Sequence, residues 1–528
     1  LKPAPAIPGP STTATVTKAD KRPTTMPGDR EQRKAGRRAK QLAVMDKKGN
    51  EEANFFWRCV NQAANKPRQT QRLSPQVEQE LFGKQLTQGI NFDQYDNIPV
   101  SRACTGPVQA CEAIPSLEDY QQLGQILPPF LNQNIQRMGY SRPTPIQRHA
   151  VPLALDGRAD LMCCAQTGSG KTCAFLLPAC AIITSLPPPP PPAHNESPAR
   201  PRVLVLAPTR ELASQIQHEA EKLTYASGLR SVVVYGGAAA RNQLSELASG
   251  VDILVATPGR LTDFLERRLV SLSQTKVLVL DEADRMLDMG FEPQLRRIVE
   301  GADLPPKHMR ITLMFSATFA DQVQKIAAKY LRAYVYVTVG RVGSTVDSIE
   351  QRIIKTGNSK QLKFQVLYQA LTQSAPANIA GGAEQAAQQG MVGGVCLGRT
   401  IVFCQKKHVA SWVKKELVNK CGISAEDIHG DRNQSQRESA LRRFKEGSVM
   451  VLVATDVAAR GLDVPAVAHV VNFDLPVSKD EFDSYVHRIG RTGRAGNLGV
   501  ATSFYVPGYE PKVGNGSLWP PLYKLLSE

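Results

Sequence analysis

The chain has 528 residues, 42% of them hydrophobic, and a formal net charge of +16. Its length exceeds what one hydrophobic core organises and predicts at least two domains, and no apolar run approaches the roughly 20 residues that span a bilayer. No short apolar block with a small-residue cleavage site opens the chain, so a secretory route is not expected. The ten cysteines form no CxxC and no Cys/His alternation, which excludes a recognisable zinc site and points to reduced thiols in a cytosolic or nuclear setting.

Residues 1–72 carry 16 Lys/Arg against 6 Asp/Glu, so the arm rich in Pro, Thr, Ala and Gln holds most of the imbalance and reads as disordered. Its densest part, Arg30–Lys40, reads equally well as a phosphate-binding segment and as a solvated basic helix or nuclear import signal. The segment EANFFWRCVNQAANK that follows (52–66) places Phe55, Phe56, Cys59, Val60 and Ala63 on one helical stripe. A partner-docking helix and an arm folded back on its own core both account for it. SPQVEQELF (74–82) opens with Ser-Pro, a good helix start.

Past residue 115 short β-branched runs alternate with helical patterns: RVLVLAP (202–208), SVVVYGG (231–237), VDILVATP (251–258), KVLVLDEAD (276–284) and ITLMFSAT (311–318). A second set follows residue 345: RTIVFCQ (399–405), VMVLVATD (449–456), HVVNFDLP (469–476) and VATSFYVP (500–507). Apolar runs of this kind predict strands buried on both faces of parallel sheets, hence two α/β domains. The proline run 187–192 cannot enter a sheet, and the Ala/Gly/Gln-rich stretch near 374–398 lacks periodicity, so both read as loop insertions.

AQTGSGKT (165–172) follows the short strand DLMCC (160–164) and opens a helical segment, which is the context of a phosphate-binding loop. Gly168 and Gly170 let backbone N–H groups approach phosphate oxygens. Lys171 supplies charge and the Thr172 hydroxyl suits Mg²⁺. In KVLVLDEAD, Asp281 and Glu282 end an apolar strand, where open α/β sheets bind ligands. Asp281 fits a second metal position, and Glu282 fits a group that orients or deprotonates attacking water. In YVHRIGRTGRAG (485–496), Arg488, Arg491 and Arg494 sit among glycines with no acidic neighbour in the stretch. They call for an anion from elsewhere.

The phosphate loop, DEAD, SAT and HRIGRTGR, in this order, resemble the DEAD-box RNA helicases of superfamily 2 over residues 115–507. PTREL (208–212), YGG (235–237), TPGR (257–260), VFCQ (402–405), HGDRNQSQR (429–437), ATDVAARGLD (454–463) and GYSRPTPIQ (139–147) extend the match. GINFDQYDNIPV (89–100) and VGRVGST (339–345) resemble the branch containing Vasa and its translation-initiation relatives. The Gly- and Pro-rich end, 507–528, departs from the regular helix that relatives of that branch carry.

The resemblance implies two tandem RecA-like domains with parallel sheets. A basic, mostly disordered extension (1–114) precedes an ATP-binding domain (115–337), a linker (338–348) and a C-terminal helicase domain (349–528). It implies that Ala165, Gln166, Thr167, Gly168, Ser169, Gly170, Lys171 and Thr172 cradle ATP, with Thr172 and Asp281 on Mg²⁺ and Glu282 handling water. Gln147 would meet the adenine edge, Phe130 would stack on the ring, and Arg142 and Thr144 would support that pocket. Asp463, with Gly461, would reach the ribose. Arg491 and Arg494 would approach the γ-phosphate, His487 would link to the DEAD segment, and Ser316 and Thr318 would couple nucleotide to closure. RNA would follow Pro208, Thr209, Arg210, Gly236, Gly237, Thr257, Pro258, Gly259 and Arg260 on the first domain. Gln434, Arg437 and Thr455 would continue the track on the second, through backbone and 2′-hydroxyls rather than bases.

The expected activity is ATP-dependent separation of short RNA duplexes and remodelling of RNA–protein complexes, in translation or mRNA metabolism. The alternative is a non-unwinding, ATP-gated RNA clamp. Expected partners are RNA and, through the N-terminal arm, translation-initiation or ribonucleoprotein components, with no membrane. The expected compartment is the cytoplasm, with the nucleus and ribonucleoprotein granules as further locations.

Overall fold

The computed structural model describes residues 49–63, 75–83, 98–105, 114–166, 168–187, 198–237, 240–340, 349–373, 398–456, 464, 467–476, 482–493, 498–510 and 514–527. Two α/β domains follow one another. The first is built on β1 (Val100–Cys104), β2 (Asp160–Cys164), β3 (Val203–Leu206), β4 (Ser231–Val234), β5 (Ile253–Ala256), β6 (Val277–Leu280), β7 (Ile311–Ser316) and β8 (Tyr334–Val339). Their order in the sheet is β1-β8-β2-β7-β6-β3-β5-β4. The second holds β9 (Ile349–Lys355), β10 (Thr400–Phe403), β11 (Ala425–Ile428), β12 (Val451–Ala454), β13 (His469–Asn472) and β14 (Gly499–Tyr505), ordered β11-β12-β10-β13-β14-β9.

Among the described strands every pairing is parallel except that of β1 with β8. The central strands are buried along their whole length, as VLVL of β3 and β6 illustrate. Such strands need helices on both faces. In the first sheet Val203, Val205, Val277 and Val279 enter one core while Leu204, Leu206, Leu278 and Leu280 enter the other. The second sheet divides in the same way, with Val402 and Val451 on one side and Ile401 and Leu452 on the other.

Helices begin where the sequence supplies a cap. Thr144 and Asn433 form capping boxes with Gln147 and Gln436, Thr209 accepts from the Leu212 amide, and Pro258 takes the first turn after Thr257. These caps stand at the carboxyl side of the sheets, which puts helix N-termini around the cleft where ligands of open α/β sheets bind.

Two expectations are refined, and one pair of alternatives is decided. The stretch 1–114 is not all appendage, because β1 completes the first sheet by pairing Val100 with Val339 and Cys104 with Val335. Its alternating exposure along VSRAC suits an edge strand and leaves no continuous apolar run to announce it. The FFWRC segment is folded back on its own chain. Phe56 is wholly buried in a core of the first domain, with Phe55, Trp57 and Val60 against it, and the Arg241 guanidinium lies 5.7 Å from the Phe55 ring centroid. Finally, the chain end forms a helix, Trp519–Ser527, whose Pro520 and Pro521 sit in the first turn where no N–H is needed. The glycines before it serve close approach, since a Cβ on Gly514 would stand 2.1 Å from the Gly508 carbonyl oxygen. The proline run from 188 and the insertion 374–397 lie outside the described residues.

Candidate nucleotide and nucleic-acid site

β2 ends at Cys164, and the chain turns through Gly168 (φ 83°) and Gly170 (φ 88°) into the helix Lys171–Ser185. Both glycines adopt the left-handed backbone that opens a row of N–H groups toward an anion. Lys171 is buried, and its Nζ donates to the Ala165 carbonyl at 2.8 Å, closing the loop on itself. Ser169 Oγ donates to the Gln166 carbonyl at 2.8 Å.

The loop is clamped from outside by GYSRPTPIQ. Thr144 Oγ1 donates to the Ser169 carbonyl (2.8 Å) and Gln147 Nε2 to the Gly170 carbonyl (3.0 Å). Gln147 Oε1 accepts from the Thr144 amide at 2.8 Å and from the Tyr120 hydroxyl at 2.7 Å. A Cβ on Gly170 would lie 2.6 Å from Gln147 Nε2, so glycine here lets the Gln147 side chain lie directly against the loop backbone. Phe130, expected near the base, is half-buried and packs on the first domain's core. The aromatic that touches Gln147 is Tyr120, which the sequence reading missed. Arg142 is exposed at the same turn.

Beyond β6 the carboxylates converge. Asp281 is buried, and burial raises its carboxyl to about 7. Lys171 opposes this, while Glu282 and Asp284 add to it. Glu282 takes a left-handed conformation (φ 50°, ψ 53°), uncommon for a residue with a side chain, and caps the helix Ala283–Asp288. Its Oε2 and the Ser316 Oγ are buried with no hydrogen-bond partner among the described residues. Thr172, at the start of the phosphate-loop helix, is half-buried. A carboxyl raised by burial and orphaned oxygens beside an anion-binding loop fit Mg²⁺ and a nucleotide, which would supply the missing cation and phosphate acceptors for the hydroxyl.

Asp284 is the junction of the site. Its Oδ2 accepts from the Ala317 amide (3.1 Å), the Thr318 amide (3.0 Å) and the Thr318 hydroxyl (3.1 Å), and its Oδ1 accepts from the Arg285 amide (3.0 Å). His487 of the second domain brings its Nε2 to 3.7 Å from the same Oδ2. DEAD, SAT and HRIGRTGR therefore meet on one carboxylate oxygen.

The three arginines of the glycine-rich stretch part company. Arg488 is buried and makes four hydrogen bonds, donating from Nε and Nη2 to the two Asp456 oxygens (2.6 and 2.5 Å) and from Nη1 to Asn472 Oδ1 (3.2 Å) and the Asp474 carbonyl (2.6 Å). It is a structural pin whose acid lies 32 residues away in sequence. Arg491 is buried, and its Nε donates to the His487 carbonyl at 3.3 Å. Arg494, Gly461, Asp463 and Thr167 lie outside the described residues.

The expected RNA track lines one edge. At Gly236 and Gly259 an added Cβ would meet nothing within 4 Å among the described residues. Gln243 and Arg260 hold the YGG turn through the Tyr235 backbone, with Arg260 Nε donating to its carbonyl at 3.2 Å. Arg210 lies against Gly237, and its Nη1 donates to Gln434 Oε1 of the second domain at 3.4 Å. Arg437 reaches Glu211 of the first domain, Nη2 to Oε1 at 2.6 Å, with both side chains largely buried. Thr455 is buried at the end of β12. Gln243 and Glu211 were not anticipated: Gln243 lies outside the quoted motifs, and Glu211, though within PTREL, is an acid that a phosphate would repel.

A DEAD/DEAH box helicase model matches residues 144–326, and a helicase conserved C-terminal domain model matches residues 396–496. The chain belongs to the DEAD-box RNA helicase family. This helicase is 28% identical to Mss116p (NTE and C-tail double deletion) solved with ssRNA and AMP-PNP, over 74% of this chain and 77% of that one, with a TM-score of 0.61. It is 28% identical to S. cerevisiae Dbp5 bound to RNA and ADP BeF3, over 78% and 99%, with a TM-score of 0.58. It is 34% identical to the RNA-helicase Prp28 from Chaetomium thermophilum bound to ADP, over 87% and 96%, with a TM-score of 0.39. This DEAD-box protein is thus an RNA-dependent ATPase of the helicase class with two RecA-like domains.

Proposed function

We propose that this helicase closes its two domains on RNA when ATP binds, locally separates short duplexes and remodels RNA–protein complexes, and releases RNA after hydrolysis. The observation that carries this reading is the Asp284 junction, where one carboxylate oxygen joins SAT of its own domain to His487 of the other. A group shared in that way ties occupancy of the phosphate site to the relation between domains.

In this reading Lys171 and the loop 165–172 hold the triphosphate, Thr172 and Asp281 hold Mg²⁺, and Gln147 faces the adenine edge. Glu282, with one oxygen free of partners among the described residues, handles the attacking water. Arg491 and Arg494 reach the γ-phosphate from the second domain, where a guanidinium stabilises charge that develops in transfer. RNA phosphates run along the helix starts at Thr209 and Thr257 and the open turns at Gly236 and Gly259, then onto Gln434 and Thr455. The resemblance to the Vasa branch favours translation or other mRNA metabolism as the setting, with Mg²⁺ as the metal and the cytoplasm as the main compartment.

Strand displacement of a short RNA duplex tests the proposal. ATP should release the strand, while a duplex of the same sequence in DNA should neither be separated nor stimulate turnover. ATP-dependent retention of RNA without any displacement would favour the clamp.

A further inference from the structure

The Gln147 amide is almost saturated by the protein itself. Its Oε1 accepts from the Thr144 amide and the Tyr120 hydroxyl, and one of its two N–H groups goes to the Gly170 carbonyl. A carboxamide offers two acceptor sites and two donors. Among the described residues one N–H is therefore left for anything that arrives beside the phosphate loop. The arrangement also fixes which end of the amide is which, because the Thr144 and Tyr120 groups must meet an oxygen and the Gly170 carbonyl must meet a donor.

We infer that Tyr120 is a positioning residue for nucleotide recognition: its hydroxyl holds the Gln147 amide with the one uncommitted N–H available to the base. Tyr120 lies on the short helical turn Tyr120–Leu123, buried, 27 residues before its partner. Burial raises the phenol well above 10, so it stays a neutral donor. Behind it stands Cys173 of the phosphate-loop helix, with Sγ 4.0 Å from the hydroxyl oxygen. Burial pushes that thiol up to about 12, so it too remains protonated. Since the phenol proton goes to an oxygen that can only accept, the thiol must donate to the phenol. The chain runs Cys173 S–H to Tyr120 O–H to Gln147 Oε1, in one direction only. It links the helix under the triphosphate to the group beside the base. The inference rests on the proposal that Gln147 faces the nucleobase.

A lone donor suits a ring acceptor, and N7 is the acceptor that adenine presents on its outer edge. Removing the hydroxyl leaves the amide held by Thr144 and Gly170 alone and lets its plane turn. Tyr120→Phe keeps the ring and its packing, so the fold is expected to survive, and the unfolding midpoint checks this.

The experiment measures RNA-stimulated turnover with ATP and with 7-deaza-ATP, in which carbon replaces N7, for the wild type, Tyr120→Phe, Gln147→Ala and the double variant. Tyr120→Phe should raise KM for ATP about 3- to 10-fold, the worth of one hydrogen bond, with kcat falling far less. For 7-deaza-ATP, and in the Gln147→Ala background, the same substitution should change KM by less than about twofold. Equal rises for both nucleotides would overturn the inference, leaving Tyr120 a packing residue. A fall in KM for ATP would also overturn it, because the hydroxyl would then be competing with the base. If Gln147→Ala leaves the preference for ATP over 7-deaza-ATP untouched, the base-reading role of Gln147 fails first, and the inference falls with it.

Discussion

Arg437 was expected on RNA, and its carboxylate partner makes a sharper prediction. Its Nη2 lies 2.6 Å from Glu211 Oε1, with the side chains 12% and 8% exposed. Burial raises the Glu211 carboxyl, and Arg437 is the largest influence opposing that rise. Removing one member of a buried ion pair costs about 3–5 kcal/mol, because the survivor keeps its desolvation penalty without its partner. Here the two members belong to different domains, so the penalty falls on the closed state and is relieved when the domains part. Taking the low end, Glu211→Gln should shift the closing equilibrium about 10²-fold toward open. The RNA concentration for half-maximal ATPase should rise by a comparable factor, with ATP affinity in the absence of RNA unchanged. The assay is a double-mutant cycle on that concentration, with Glu211→Gln, Arg437→Gln and both together. The double variant should be no worse than either single one, and exchanging the two residues should restore part of the loss. If Glu211→Gln is near neutral while Arg437→Gln is severe, the guanidinium binds an RNA phosphate and the pair contributes nothing to closure.

Glu282→Gln should lower steady-state hydrolysis by at least ~10²-fold and trap a closed ATP–RNA complex, which retention of RNA on filters would detect. Arg491→Ala should cut RNA-stimulated single-turnover hydrolysis by about 10³-fold or more while leaving ATP binding without RNA nearly intact. Arg491→Lys should not rescue it, since an ammonium lacks the planar fork. Stability should fall on acidification below about pH 6.5. Burial and then Arg102, whose Nε donates to His149 Nδ1 at 2.7 Å, lower His149 from 6.5 to about 4. The folded state therefore takes up this proton only well below the unfolded chain, and its stabilisation is complete above 6.5 and is lost as pH falls toward 4. His469, also lowered to about 4 by burial, acts in the same sense. Denaturant midpoints between pH 7.5 and 5 should show the slope, and His149→Gln should reduce it without abolishing it.

What the sequence made legible were features that repeat a local rule. VLVL at 203–206 and 277–280 can only be strands covered on both faces, and Thr144, Thr209 and Asn433 announce helix starts by their side chains. The strand Val100–Cys104 follows no such rule. It is short, amphipathic and antiparallel, and it exists because β8 offers a free edge. Trp519–Ser527 was hidden by Pro520 and Pro521, which break a helix in its middle and begin one at its first turn. Position within an element, which a sequence does not print, decided the meaning of those residues. Tyr120 and Asp456 were missed for a related reason: their partners lie 27 and 32 residues away, and no periodicity connects them.

The arginines of HRIGRTGR show how one pattern divides into two roles. In the helix Phe482–Ile489, Tyr485 and Arg488 are three apart and share an inward face, where Tyr485 OH donates to Gln351 Oε1 at 2.7 Å and Arg488 binds Asp456. Ser484 and His487 are also three apart, on another stripe, and both meet the first domain: Ser484 Oγ accepts from Arg285 Nη1 at 3.4 Å, and His487 approaches Asp284. Arg491 is four residues beyond His487 and donates to its carbonyl, which extends that second stripe past the helix end. The inward face, locked by a bidentate pair and two further hydrogen bonds, fixes the rotation of the helix. That rotation, in turn, sets where Ser484, His487 and Arg491 point. Arg488 thus answers the need for an anion with one carried by the chain itself, and by doing so it holds the neighbouring stripe toward the first domain, where the phosphate loop and the DEAD segment lie.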